Sequence, residues 1–533
     1  MTTYSNPILK GFRPDPSIIR VGNDYYLVVS SFEYFPGLPI YRSTNLVEWS
    51  QIGYVLNRTS QLDIVAPRPS SGLFAPTIRY HDGVFYVICT LMNNGGNFIV
   101  TAADPAGPWS DPIWIAGAEG IDPSLFFGDD GRCYYVGNGS PDEPLYDGHR
   151  TIWLQEITPR DGRLIGHKAV IVNGGTDITK KPIWIEGPHI YKREGRYILV
   201  AAEGGTGEQH SEVVFRTDEN ASIWGPYEPY SGNPIISNRD VTDSGENPIT
   251  CTGHADLVET SDGELWAVLL GCRPYAPTFE NWYNTGRETF LVPMAWRNGW
   301  PVTRDGSARV KHSYDLPSIA VPVELGGLQD ANGYFDDFGS ETLGHEWYAI
   351  GRSPEIDGWL DLSSQPGKLR IQPRVDCLGT LGNPAFIGYR QRDLAFEATA
   401  RITLPEVAGP AQYGMAVQQN NTTFLAIMAR ITDGGLVVTV ERKCPDELPE
   451  IIASAIIPNL TLDLRIAADG RDYNFAISTD GAHFKELASS IDGSILSTRY
   501  TGGFVGAMIG LYAVGEGDGN SAMGVDWFSY RPL

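Results

Sequence analysis

The run Glu186-Gly-Pro-His-Ile-Tyr-Lys-Arg-Glu-Gly-Arg-Tyr-Ile-Leu-Val200 carries the pattern from which the fold is read. A short strand pattern to Tyr191 meets Glu194-Gly195, and a second apolar run returns from it through Val200. Four more stretches repeat this arrangement. Asp15-Pro-Ser-Ile-Ile-Arg leads through Asn23-Asp24 into Tyr25-Tyr-Leu-Val-Val, and Phe74-Ala-Pro-Thr-Ile-Arg-Tyr leads through Asp82-Gly83 into Val84-Phe-Tyr-Val. Asp122-Pro-Ser-Leu-Phe-Phe leads through Asp130-Gly131, and His254-Ala-Asp-Leu-Val-Glu leads through Asp262-Gly263. Asp-Gly between apolar runs is among the strongest short hairpin signals. The spacing of the hairpins, roughly fifty to seventy residues, is the scale of β-propeller blades. Later strands that precede Trp49, Trp109 and Trp224 complete four-stranded units. Residues 1–315 read as a five-bladed β-propeller.

Beyond Trp300-Pro301 the pattern loosens, and residues 316–333 read as a linker. Alternating strands resume at Tyr334 and recur through Leu369-Arg-Ile, Phe396-Glu-Ala-Thr-Ala, Gly414-Met-Ala-Val, Leu436-Val-Val-Thr-Val, Leu462-Asp-Leu-Arg-Ile and Tyr473-Asn-Phe-Ala-Ile. That spacing predicts a two-sheet antiparallel sandwich over 334–533. Helical periodicity is scarce, so the expected class is all-β.

Charge narrows the function. A net charge of −24 opposes nucleic-acid binding, because a phosphate backbone needs a basic surface; a neutral sugar is compatible with it. Six scattered cysteines show no zinc-type spacing, and no apolar run reaches membrane-spanning length. The N-terminal Met-Thr-Thr-Tyr-Ser-Asn-Pro lacks the basic-then-apolar pattern of a signal peptide, so reduced thiols and a cytoplasmic address are expected.

Counting back nine residues from the second turn residue of each hairpin lands on Asp15, Phe74, Asp122, Glu186 and His254. In a propeller such positions ring the mouth of the central axis, so three carboxylates, an aromatic and a histidine are expected to converge. Like charges gathered in a core by chance are costly. Two carboxylates across a sugar-sized pit are the equipment of glycoside hydrolysis. Apolar neighbours of Glu186 are expected to hold its proton more tightly, as a general acid needs. Asp122 adds a third charge that holds Glu186 protonated. Phe32, Tyr34, Phe35 and Phe74 are candidates to stack on a sugar face, with core packing the commoner reading for each taken singly except Phe74, which the repeat places in the ring.

These residues resemble glycoside hydrolase family 43, and within it the two-domain β-xylosidase/α-L-arabinofuranosidase group. The resemblance runs through Asn6-Pro-Ile-Leu-Lys-Gly-Phe-Arg-Pro-Asp-Pro-Ser, Ser31-Phe-Glu-Tyr-Phe-Pro-Gly, Asp122-Pro-Ser, Gly148-His-Arg, Lys180-Lys-Pro-Ile-Trp-Ile-Glu-Gly-Pro-His and Gly286-Arg-Glu-Thr, in order. It implies a concanavalin-like jelly roll for the second domain and an inverting, exo-acting hydrolase that frees terminal xylose from β-1,4-xylo-oligosaccharides. An α-L-arabinofuranosidase or a bifunctional enzyme is the alternative, and a non-catalytic sugar-binding propeller the rival from another class. By resemblance Asp15 is the general base, Glu186 the general acid and Asp122 the carboxylate that tunes and orients the acid. The acid and base are then expected roughly 6.5–9.5 Å apart. Also by resemblance, Phe32 and Arg287 contact the substrate, and Tyr500-Thr-Gly-Gly-Phe504 brings Phe504 from the sandwich to the pocket. Phe74 stands where many members carry Trp, and Tyr500 where they often carry Phe, so leaving-group preference is open. No cofactor is expected to be required. His254 is implied as a substrate-binding histidine beneath the site and as a neighbour of a candidate calcium, and Asp336, Asp337 and Asp526 resemble a structural calcium set of oxygen ligands, with a solvated acidic turn as the competing reading. The expected partner is a xylo-oligosaccharide or arabinofuranoside, with no nucleic acid or membrane, and homo-oligomer formation is an expectation because members of such families often associate.

Overall fold

The computed structural model describes residues 2–92, 95–240, 248–275, 280–320, 333–406, 408–517 and 521–533. Five antiparallel sheets built from consecutive segments form the first body, with strands spanning Ser17–Val21 to Ser50–Leu56, Gly72–Leu73 to Ile113–Trp114, Ser124–Phe127 to Arg163–Asn173, Glu186–Arg193 to Glu228–Pro229, and Thr250–Glu259 to Trp300–Thr303. They are blades 1 to 5 of a propeller. Apolar faces pack blade against blade, as where Val28 and Ile40 of blade 1 meet Ile78 and Val87 of blade 2. The circle closes where Ile18 and Leu27 of blade 1 meet Trp266, Val268 and Leu291 of blade 5. Thr3–Ser5 pairs with Ser313–Asp315 across the same seam.

The turns show where the sequence pattern was approximate. In blade 1 Val21 pairs with Asp24, so the turn is Gly22-Asn23 and not Asn23-Asp24. Gly22 takes the left-handed conformation (φ 64°) that the first position of this tight turn requires, while Asp24 opens the returning strand and binds Arg42. Asp82-Gly83 and Glu194-Gly195 are two-residue turns with φ positive at both positions, but Asp130-Gly131 and Asp262-Gly263 lie inside longer loops closed by Gly128–Arg132 and Thr260–Glu264 hydrogen bonds.

The second body is a sandwich of two eight-stranded sheets spanning Tyr334–Asp336 to Met523–Pro532, packed over one apolar core that includes Leu369, Phe396, Ile427, Leu464, Leu511 and Phe528. One strand comes from outside it: Tyr34–Phe35 of blade 1 pairs with Tyr348–Ile350 at the sheet edge. Of the expected linker, residues 321–332 lie outside the described residues. A shared cluster of Phe12, Phe32, Tyr348, Met428, Val505 and Met508 joins the two bodies. All six cysteines are free thiols.

Candidate active site

Strand pairing gives the blades a common register. Ser17, Thr77, Ser124, His189 and Asp256 each sit opposite an equivalent residue of the second strand: Val28, Ile88, Val136, Val200 and Val268. Two residues upstream of these lie Asp15, Ala75, Asp122, Gly187 and His254. Glu186 and Phe74 therefore stand one residue before the strictly equivalent positions, a shift that the count from the turns concealed. Asp15, Asp122, Gly187 and His254 share a left-handed backbone, φ 52°, 52°, 57° and 59°. Only the blade 4 residue is glycine, because a Cβ there would meet His254 Nε2 at 2.7 Å. Non-glycine residues persist in that conformation only when their surroundings over-determine it, as functional sites often do.

The predicted residues do converge. Asp15, Asp122, Glu186, His254, Arg287 and the three phenylalanines 32, 74 and 504 line one cavity of about 490 Å³ on the propeller axis. The three carboxyl-bearing residues are all buried, 5–6% exposed. Asp15 accepts a 2.5 Å hydrogen bond from Ser30 Oγ and faces Arg287 Nη1 at 3.6 Å. Glu288, the sequence neighbour of Arg287, is held by Arg273 at 2.6 Å. Asp122 faces His254 Nε2 at 3.5 Å.

Burial, followed by the negative charge of Asp122, pushes the Glu186 carboxyl up to about 8, against the opposing pull of His254. Burial alone would lower His254, but its hydrogen bond to Asp122 and the charges of Asp15, Asp122 and Glu186 outweigh that and raise it to about 10. At neutral pH the ring thus holds a protonated Glu186 beside an imidazolium. Asn138 braces both acids, accepting from Ile121 N at 3.0 Å and donating to Ile185 O at 3.5 Å, next to Asp122 and Glu186 respectively.

The wall is aromatic. Phe32, Phe74 and Phe504 form a mutual cluster with centroid separations of 5.2, 5.6 and 5.8 Å. The sandwich delivers Phe504 on a loop gripped at both sides: Phe504 N donates to Ser70 Oγ at 2.8 Å, and Arg287 Nη2 donates to Phe504 O at 3.4 Å. Ser70 N in turn donates to Glu33, a buried carboxyl that burial raises to about 8. Gly503 must be glycine here, since a Cβ would meet Ser70 Oγ at 2.4 Å. Tyr34 and Phe35 follow the core reading and not the stacking one: both are buried in packing, and Tyr34 accepts a hydrogen bond from Gln418.

Two features escaped the sequence reading. Beneath the ring, fully buried Asp256 accepts from Ser17 Oγ at 2.6 Å, Arg79 at 2.9 Å and also Tyr191, tying blades 1, 2, 4 and 5 under the pocket floor. These partners lie up to 239 residues apart, so no local pattern joins them. His210 lines the cavity with Nδ1 against Cys251 O at 2.9 Å, and burial lowers it to about 3. That hydrogen bond places the proton on Nδ1 and leaves Nε2 an acceptor.

The calcium expectations find no ligand set. Among the described residues no three His, Cys, Asp or Glu side chains converge as metal ligands. Asp336 accepts from Tyr334, Trp347 and Phe338 N, Asp337 from Gly339 N, and Asp526 pairs with Lys368 at 2.8 Å, so each carboxylate is used locally.

Residues 4–301 match the family described as glycosyl hydrolases family 43. The chain belongs to glycosyl hydrolase family 43. It is a glycosidase. Residues 335–531 match the family's beta xylosidase C-terminal Concanavalin A-like domain. The family 43 chain is 38% identical over 529 residues to a xylosidase/arabinosidase of Butyrivibrio fibrisolvens, covering 97% of each. It is 37% identical to the non-reducing end alpha-L-arabinofuranosidase BoGH43B of Bacteroides ovatus, covering 100% of this chain and 95% of that one. The structure of a xylan beta-1,4-xylosidase from Bacillus halodurans C-125 superposes with a TM-score of 0.89 at 29% identity, covering 99% of this chain and 100% of that one.

Proposed function

We propose that this family 43 glycosidase is an inverting, exo-acting β-xylosidase that frees terminal xylose from β-1,4-xylo-oligosaccharides. One observation carries the reading: buried Glu186, whose carboxyl is pushed up by burial and by Asp122, lines the same cavity as Asp15, which is held by Ser30 and Arg287. In this mechanism Asp15 takes a proton from water as the water oxygen bonds to the anomeric carbon. Glu186 gives its proton to the glycosidic oxygen as the bond to the leaving sugar breaks. Asp122 keeps Glu186 protonated and fixes His254. The mutual cluster of Phe32, Phe74 and Phe504 walls one side of the pocket, which supports exo action.

Arabinofuranosidase activity is the second reading, favoured by the names of the Butyrivibrio and Bacteroides relatives. Initial rates on 4-nitrophenyl β-xyloside and 4-nitrophenyl α-L-arabinofuranoside decide between them. The xylosidase reading expects the larger kcat/KM on the xyloside, and the reverse order overturns it.

The grip on Phe504 makes a separate expectation. Ser70→Ala removes one buried acceptor and should raise KM about fivefold, by loosening the wall, with a smaller change in kcat. Steady-state kinetics beside Phe504→Ala check this: the Phe504 variant should show the same pattern, larger.

A further inference from the structure

Trp184 is a bulky residue with φ 51°, a backbone conformation rare for such a side chain, and it is 39% exposed at the cavity mouth. Burial does not explain this placement, since a core tryptophan would be covered. The conformation is held from two sides, by Trp184 N donating to Gly148 O and Gly204 N donating to Ile183 O, both at 3.0 Å. Gly148 leaves the necessary room, because a Cβ there would meet Ile183 at 2.9 Å. Among the described residues the indole makes no ring contact with the Phe32–Phe74–Phe504 cluster. It stands instead two residues before Glu186 and lines the same cavity.

We propose that Trp184 is the platform for the leaving sugar: a rigid indole on which the pyranose ring released by Glu186 stacks. This rests on the reading of Glu186 as the acid and deepens it. A half-exposed flat ring on a backbone held from two sides offers apolar area to a sugar face with few side-chain torsions to order. Arg150 and Glu119 line the same cavity and supply polar groups for that sugar's hydroxyls.

The test compares xylobiose with methyl β-xyloside. Both leaving groups are poor and need the acid, but only xylobiose carries a second ring. Trp184→Ala should lower kcat/KM on xylobiose about tenfold and change methyl β-xyloside less than about threefold. Trp184→Phe should restore most of the xylobiose rate, and the alkaline limb of the xylobiose pH profile should stay in place. Trp184→Leu, which keeps bulk without a flat face, repeats the test if the alanine variant does not fold. Equal losses on both substrates, an unchanged xylobiose rate, or a displaced alkaline limb would each overturn the platform. Wild type is the separate control: if it frees xylose from neither substrate, the active-site reading itself fails, and the platform with it.

Discussion

Asp15→Ala loses turnover on every glycoside, whatever its leaving group, by a factor of about 10³ to 10⁴ or more. The reason is positional. Asp15 is buried, accepts from Ser30 at 2.5 Å and faces Arg287 at 3.6 Å, so its carboxylate cannot be replaced by solvent in activating water. A good leaving group cannot help, because it lightens the acid's task and not the base's. Rates on 4-nitrophenyl β-xyloside and xylobiose should therefore fall together. The melting temperature shows whether the variant is folded. A variant that folds as wild type and retains substantial rate on the aryl glycoside would remove Asp15 from the base's role.

Glu186→Ala is expected to behave differently. Xylobiose, whose leaving alkoxide needs a proton, should slow by about 10³, while an aryl glycoside with an acidic phenol should slow far less. The pH dependence carries the same assignment. Glu186 keeps its proton up to about 8, so wild-type rate on xylobiose should hold through neutrality and fall as pH rises through that value. Substrates that need no protonation should lack this limb. Asp122→Asn removes the charge that, after burial, does most to raise Glu186, and should move the limb to lower pH. A limb that stays on xylobiose after Glu186→Ala belongs to another group.

The legibility of this molecule in its sequence was uneven, for physical reasons. The hairpins were legible because turns are local, and five similar turns announce a repeat. Convergence of Asp15, Asp122, Glu186 and His254 followed from that repeat without knowledge of any contact. The count from the turns was still one residue off at Phe74 and Glu186, because loop lengths differ among blades while strand register does not. Phe35 and Tyr34 could be given only their commoner core reading, since an aromatic-rich loop reads alike whether it faces a sugar or adds a strand to a distant sheet edge. The Arg79–Asp256 pair spans 177 residues and the Ser70–Phe504 hydrogen bond 434, and no local pattern encodes either.

The central claim is that Asp15 and Glu186 act on one sugar from opposite sides with a water between them. Proton NMR of the single xylose freed from 4-nitrophenyl β-xyloside, read before mutarotation, tests it most directly. The account predicts that α-xylose appears first from the β-linked substrate; β-xylose appearing first would contradict it.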